Sequence, residues 1–211
     1  MFLALLYAST ARSSGARLRD VTQLTKARAA RGERESRIVT EARAIAEADG
    51  WPSVTVRRLA SAIGYSQPVL YGHFPDGRDG IVRAVAIDGF ERLAAALDSA
   101  PRSASTAKRV RAIVQRYTRF ARENPAVYEA MFSLPTDLGF ATEAAPAPLR
   151  KAFAAIQRAV ADSVDDLETE TELLWSAMHG LVDLQRHGRL RTSHEQARQR
   201  LLTRLFSGDV K

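Results

Sequence analysis

Residues 54–74, Val-Thr-Val-Arg-Arg-Leu-Ala-Ser-Ala-Ile-Gly-Tyr-Ser-Gln-Pro-Val-Leu-Tyr-Gly-His-Phe, restrict the fold more than any other stretch of the chain. They predict two short helices joined by a tight turn. Thr55 stands where its hydroxyl can accept from the free N–H groups two or three residues on, as a helix N-cap does. Leu59, Ala60 and Ile63 follow at helical spacing and give the first helix one apolar face. Gly64 supplies the turn, because without a Cβ it enters positive φ at no steric cost. Ser66 restarts the chain as an N-cap, and Pro68 is tolerated because a first helical turn has no N–H partner to lose. Two helices around a short glycine turn are the sequence form of a helix-turn-helix.

The second of these helices sorts its side chains onto two faces. Leu70 and Phe74 lie four apart and point inward towards Leu59 and Ile63. Gln67 and Tyr71, also four apart, share the outer face with Pro68. That face offers an amide able to pair with a base edge, a flat ring with a hydroxyl, and an apolar wedge. Such a set suits the floor of a DNA groove. A helical corner with an exposed Gln and Tyr would share the pattern; the caps on both sides favour the DNA reading.

The remaining sequence reads as helix throughout, and no window alternates with period two over a useful length. Ile38, Ala42, Ile45 and Ala46 mark an amphipathic helix ending at Asp49-Gly50. A long helix after Asp79 carries Ile81, Val85, Phe90, Leu93 and Leu97 to about residue 99, with Pro101 as its stop. Further helices are expected near 106–122, from Asn124-Pro125 to 132, and at 149–164, 171–186 and 194–206, about nine in all. Residues 135–148, rich in Ala, Pro and Thr, are the expected mobile loop, and the acidic run 162–172 reads as a solvated loop and helix start. The expected division is a basic, flexible extension over 1–28, a helix-turn-helix domain over 29–80 and a helical domain over 81–211.

The extension holds Arg12, Arg17, Arg19, Lys26 and Arg28 against Asp20 alone, so it is either a solvated tail or an arm that lies along phosphates. Residues 1–8 are apolar but lack the basic start of a signal peptide. At 211 residues the chain can bury a substantial core. No apolar run approaches the roughly 18 residues needed to cross a bilayer, so no membrane partner is expected. The absence of cysteine excludes disulfides and thiolate chemistry and fits a cytoplasmic location.

Arg34-Glu35, Ile38, Ala42, Ala46, Gly50, Val54-Thr55, Leu59-Ala60, Ile63-Gly64, Ser66 and Leu70-Tyr71-Gly72-His73-Phe74 together resemble the DNA-binding domain of TetR-like regulators, continuously over about fifty residues. Trp175-Ser-Ala-Met-His179-Gly180-Leu resembles one subfamily of TetR ligand domains. The resemblance implies that Gln67 makes the main base contact, with Pro68 and Val69 against a thymine methyl. It gives phosphate contacts to Tyr71, His73, Thr55, Arg57 and Arg78. Two positions depart from the family pattern. Val69 replaces a residue that is often polar. The Lys usually three residues after Phe74 is absent, with Arg78 the candidate substitute after one inserted residue.

In the helical domain, Phe90, Tyr117, Phe120, Tyr128, Met131, Phe132, Phe153, Trp175, Met178 and His179 either pack a core or line an apolar cavity between helices. The resemblance implies a cavity whose small apolar effector releases the protein from DNA. Leu173, Leu174, Ala177, Leu181, Leu184, Leu201, Leu202 and Leu205 form apolar faces on the last two helices, where TetR-like chains form homodimers. One short recognition helix reads only a few base pairs, so a palindromic operator with two heads is expected.

Enzymatic readings find no support. His73, His179, His187 and His194 lack metal-ligand spacing, and neither a glycine-rich phosphate loop nor a Gly-x-Ser-x-Gly elbow is present. Asp76-Gly-Arg-Asp79-Gly lacks the alternating acids of a calcium loop. No cofactor or metal is expected. The expected function is therefore a ligand-responsive transcriptional repressor; a ligand-independent DNA-binding or architectural protein of the same fold is the alternative.

Overall fold

The computed structural model describes residues 4–100, 105–136, 138–139, 145–161 and 166–207, without the side chains of residues 4–22. Among them are nine α-helices and no strand: α1 Ala4–Asp49, α2 Val56–Ile63, α3 Gln67–His73, α4 Arg78–Asp98, α5 Thr106–Glu123, α6 Pro125–Phe132, α7 Ala147–Val160, α8 Leu167–Arg186 and α9 Glu195–Leu205. Two short 3₁₀ turns, Trp51–Ser53 and Thr192–His194, precede α2 and α9.

The local signals in residues 54–74 act largely as expected. Thr55 Oγ1 accepts from Arg58 N at 3.1 Å, and Gly64 ends α2 with φ 71°. Ser66 differs, because its hydroxyl makes no capping bond. Its carbonyl instead accepts from Val69 N at 3.1 Å and Leu70 N at 3.4 Å.

Two helix starts also differ from the periodicity. α8 begins at Leu167, four residues before the apolar repeat at Thr171, because the Asp166 carboxylate caps it by accepting from Thr169 N at 3.2 Å. Glu168 and Glu170 then occupy the first turn, the positive end of the helix dipole. α1 is continuous from Ala4, whereas a flexible extension was expected over 1–28. That segment contains no proline and is rich in Ala, Leu and Arg, which favour helix. Residues 1–3 of the apolar N-terminal octet, and residues 137 and 140–144 of the loop expected between α6 and α7, lie outside the described residues.

α4 is the backbone of the assembly. It packs on α1 at one end and on α5, α6 and α7 along its length. Ile81, Val82, Val85, Ala86, Phe90, Leu93 and Leu97 are buried along it. The buried side chains run without interruption from Ile38 in the helix-turn-helix to Leu202 in α9. The two halves are thus joined by shared packing as well as by chain. Within the helical domain one approach is especially close: at Gly89 a Cβ would lie 2.6 Å from Val127 Cγ1, so α6 seats directly on the α4 backbone.

Candidate DNA-binding face and core cavity

α3 is seven residues long, with Leu70 buried beneath it at 1% exposure. Gln67, Pro68, Val69 and Tyr71 are exposed on its outer surface. Thr55 and Arg57 are exposed at the start of α2 beside them. The Tyr71 ring rests over the Gly77 turn, where φ is 58° and a Cβ would come 3.1 Å from Tyr71 Cε1. A residue larger than glycine at 77 would therefore push this ring as well as strain the backbone.

The other two expected phosphate contacts bond to protein groups, His73 buried and Arg78 with its side chain 41% exposed. His73 is only 7% exposed at its side chain, and its Nδ1 lies 3.2 Å from the Glu35 carboxylate on α1. Arg31, one turn earlier, donates to the Gly72 carbonyl at 3.0 Å and pairs with Glu35 at 2.9 Å. Arg78 donates to the carbonyls of Val54 and Trp51, each at 3.2 Å, and so braces the entry to α2. His73 thus fastens the reading helix to α1, and Arg78 ties the start of α4 to the turn before α2. Sequence spacing could not reveal this, because their partners lie 24 to 38 positions away.

In the helical domain a cavity of about 510 Å³ opens between α4, α5, α6, α7 and α8. Phe90, Tyr117, Phe132, Phe153 and Trp175 line it. The rings meet at angles: Phe90 and Phe132 at 5.4 Å, Phe153 and Trp175 at 6.3 Å, both edge to face. α7 adds Leu149, Ala152 and Ile156, a helical stripe that the sequence reading passed over. Arg150, Gln157, Glu168 and Glu172 supply the polar part of the wall.

Behind the aromatic wall runs a buried polar chain. The Tyr117 and Tyr128 hydroxyls lie 3.0 Å apart, and Tyr128 Oη lies 2.7 Å from His179 Nδ1. Arg186 sits over the Tyr128 ring at 5.4 Å. Burial drives both phenols well above the ordinary tyrosine range, so both are neutral. Burial likewise lowers the pKa of His179, against the opposing pull of Asp183. Tyr128 and His179 therefore stand behind the cavity rather than on its surface. Of the other expected lining residues, Met131 packs on Gly89 and Met178 is wholly buried. Phe120 borders a separate groove with Ala96, Ser99 and Arg116.

Two family models cover most of this architecture. The model for bacterial regulatory proteins of the tetR family matches residues 38–85. The tetracyclin repressor-like C-terminal domain model matches residues 110–207. The chain belongs to the TetR family. It is a DNA-binding transcriptional regulator of helix-turn-helix type. A curated relative, an uncharacterised helix-turn-helix transcriptional regulator of Mycobacterium tuberculosis, is 29% identical over 167 residues, which cover 77% of this chain and 74% of the relative. A tetR-family regulator from Streptomyces coelicolor shares the fold with a TM-score of 0.64 at 22% identity, covering 83% of this chain and 79% of its own. RolR in complex with resorcinol shares it with a TM-score of 0.61 at 16% identity, covering 84% of this chain and 89% of its own.

In this TetR chain the last two helices leave large apolar side chains in water. Leu173 and Leu184 on α8 are 54% and 39% exposed, and Leu201 and Leu205 on α9 are 52% and 65% exposed. Gly180 lies between the two α8 leucines, with nothing within 4 Å of where a Cβ would be. Among the described residues no group of three or more His, Cys, Asp or Glu side chains is placed to hold a metal, and no helix is long and apolar enough to cross a membrane.

Proposed function

We propose that this protein is a dimeric, cytoplasmic repressor that sits on a palindromic operator and leaves it when a small, mainly apolar molecule enters the core cavity. The observation that carries the DNA part is the division of α3. Leu70 is held in the core while Gln67, Pro68, Val69 and Tyr71 face outward together. Gln67 pairs with a base edge, Pro68 and Val69 meet a thymine methyl, and Tyr71, Thr55 and Arg57 contact phosphates. The bond of His73 to Glu35 supports a role in holding α3, and the bonds of Arg78 to the Trp51 and Val54 carbonyls support a role in bracing the entry to α2.

A volume of about 510 Å³ falls in the usual range of small-molecule sites, roughly 300–1,000 Å³. Its aromatic walls favour a flat, largely apolar effector. RolR, of the same fold, has been seen with resorcinol bound, which supports an aromatic ligand of modest size. The exposed leucines of α8 and α9, two at helical spacing on each helix, support pairing with a second copy, which would take them out of water. A symmetric pair presents two α3 helices to successive turns of DNA.

Selection of bound fragments from random DNA tests the whole reading. The expected product is an inverted repeat with half-sites about one helical turn apart. Fragments without symmetry would refute it. Leu184→Glu with Leu201→Glu should give a monomer in sedimentation that no longer holds the repeat; a persisting dimer would place the interface elsewhere.

A further inference from the structure

The DNA-binding half and the cavity wall meet at one short helix. α6 carries Tyr128 and Phe132, which form and back the cavity wall. Its other end is gripped by the head. Glu47, on α1, accepts from Ala126 N at 3.0 Å and Val127 N at 3.1 Å, one carboxylate oxygen to each. Trp51, 3% exposed, donates its indole N–H to the Ala126 carbonyl at 2.8 Å. Both sides of the Ala126 residue are thus bonded to the head.

We propose that Glu47 is the coupling residue of this regulator, transmitting displacement of α6 by a cavity occupant to the recognition helix. This rests on the effector-cavity reading above. The chain of contacts runs from the cavity wall to α3. α6 is eight residues long, about 12 Å at 1.5 Å per residue, so it moves as a rod. An occupant that displaces Phe132 or Tyr128 must shift or tilt that rod. Charge-assisted bonds to two backbone N–H groups resist separation more than neutral ones do, so the Glu47 end follows. α1 then carries the motion to α3 through Arg31 on the Gly72 carbonyl and Glu35 on His73. Other polar links between head and core, Arg43 to Asp88 at 3.2 Å, Arg83 to Asp76 at 3.3 Å and Arg78 to the Trp51 and Val54 carbonyls, run to α4 rather than to α6. The two ion pairs among them are partly exposed, where such pairs are worth little.

The chain has no cysteine, so Phe153→Cys gives one unique thiol in the cavity wall, and monobromobimane attached there serves as a covalent occupant. Operator affinity is measured with and without the label, in the parent and in Glu47→Gln. Labelling should weaken operator binding about tenfold in the parent, within the roughly 5–150-fold range of allosteric coupling, and less than about twofold in Glu47→Gln. The unlabelled proteins should bind alike. Trp51→Phe, which removes only the indole N–H, should reduce the labelling effect in the same direction and serves if Glu47→Gln does not fold. An equal loss on labelling in the parent and in both variants overturns the role of Glu47 while leaving the cavity reading intact. No loss on labelling in the parent overturns the cavity reading and the coupling with it.

Discussion

Gly89→Ala probes the joint on which α6 rests. A Cβ at this position would lie 2.6 Å from Val127 Cγ1 and 2.7 Å from Met131 Sδ. Carbon atoms are comfortable from about 3.5 Å, so something must give by nearly 1 Å. Met131 can rotate, since its chain is unbranched and flexible. Val127 cannot, because a β-branched side chain in a helix has essentially one χ1 well. Both side chains are at most 1% exposed, so neither can swing into solvent. Overpacking of this kind costs about 1–3 kcal/mol, and the confinement argues for the upper end. Replacing a helical glycine by alanine returns about 1 kcal/mol, leaving a net loss of about 2 kcal/mol. For a chain of this length that lowers Tm by roughly 4–8 °C. Calorimetry of Gly89→Ala beside Gly32→Ala reads the difference, since Gly32 on α1 has nothing within 4 Å and should gain stability from the same substitution. A Gly89→Ala protein that melts at or above the parent temperature would refute the close seating of α6 on α4.

On the selected operator Gln67→Ala should lose about 1–3 kcal/mol while changing random-DNA affinity little; equal losses on both would remove it from sequence reading. Arg57→Ala should weaken all DNA and reduce the slope of log affinity against log salt by about one, and an unchanged slope would take it off the phosphates. His179 has its pKa lowered by burial, so the unfolded chain binds more protons as pH drops through the ordinary histidine range. Stability should therefore decline from about pH 7 to pH 5 and be unaffected by this group above that range. The decline should be shallower in His179→Gln. Parallel curves for the two proteins would show that His179 is not the titrating group.

The helix-turn-helix was legible because its signals are local: Thr55 and Gly64 act within one turn of their own positions. The aromatic walls were legible in part, since Phe90, Phe132, Phe153 and Trp175 are large and fall on apolar stripes. What the sequence did not reveal are contacts across long separations. Glu47 reads as one more charge on the polar side of α1, yet it bonds backbone N–H groups 79 and 80 positions away. Trp51 sits beside a proline in what looks like a plain turn, and only the fold brings it to the Ala126 carbonyl. His73 and Arg78 fit phosphate contacts by motif, but motif spacing holds no information about Glu35 or about the carbonyls of Trp51 and Val54. Polar side chains are ambiguous in sequence because solvent, DNA and a buried backbone group satisfy them equally well.

These inward bonds change where the attraction for DNA must come from. α3 itself ends in a histidine tied to Glu35, and the next cation, Arg78, is committed to two carbonyls. Arg58 on α2 is paired with Asp49. Among the described residues, other exposed cations on these elements are Arg57 on α2 and, on α1, Lys26, Arg28, Arg34 and Arg37, the last over the Tyr65 ring at 5.5 Å. Counterion release scales with the number of phosphates neutralised, so the salt dependence should arise mainly from α1 and α2, and the sequence preference from α3. The division is mechanically sensible. A helix that reads bases must hold its register closely, and charges fastened to protein fix that register better than charges spread along a phosphate backbone.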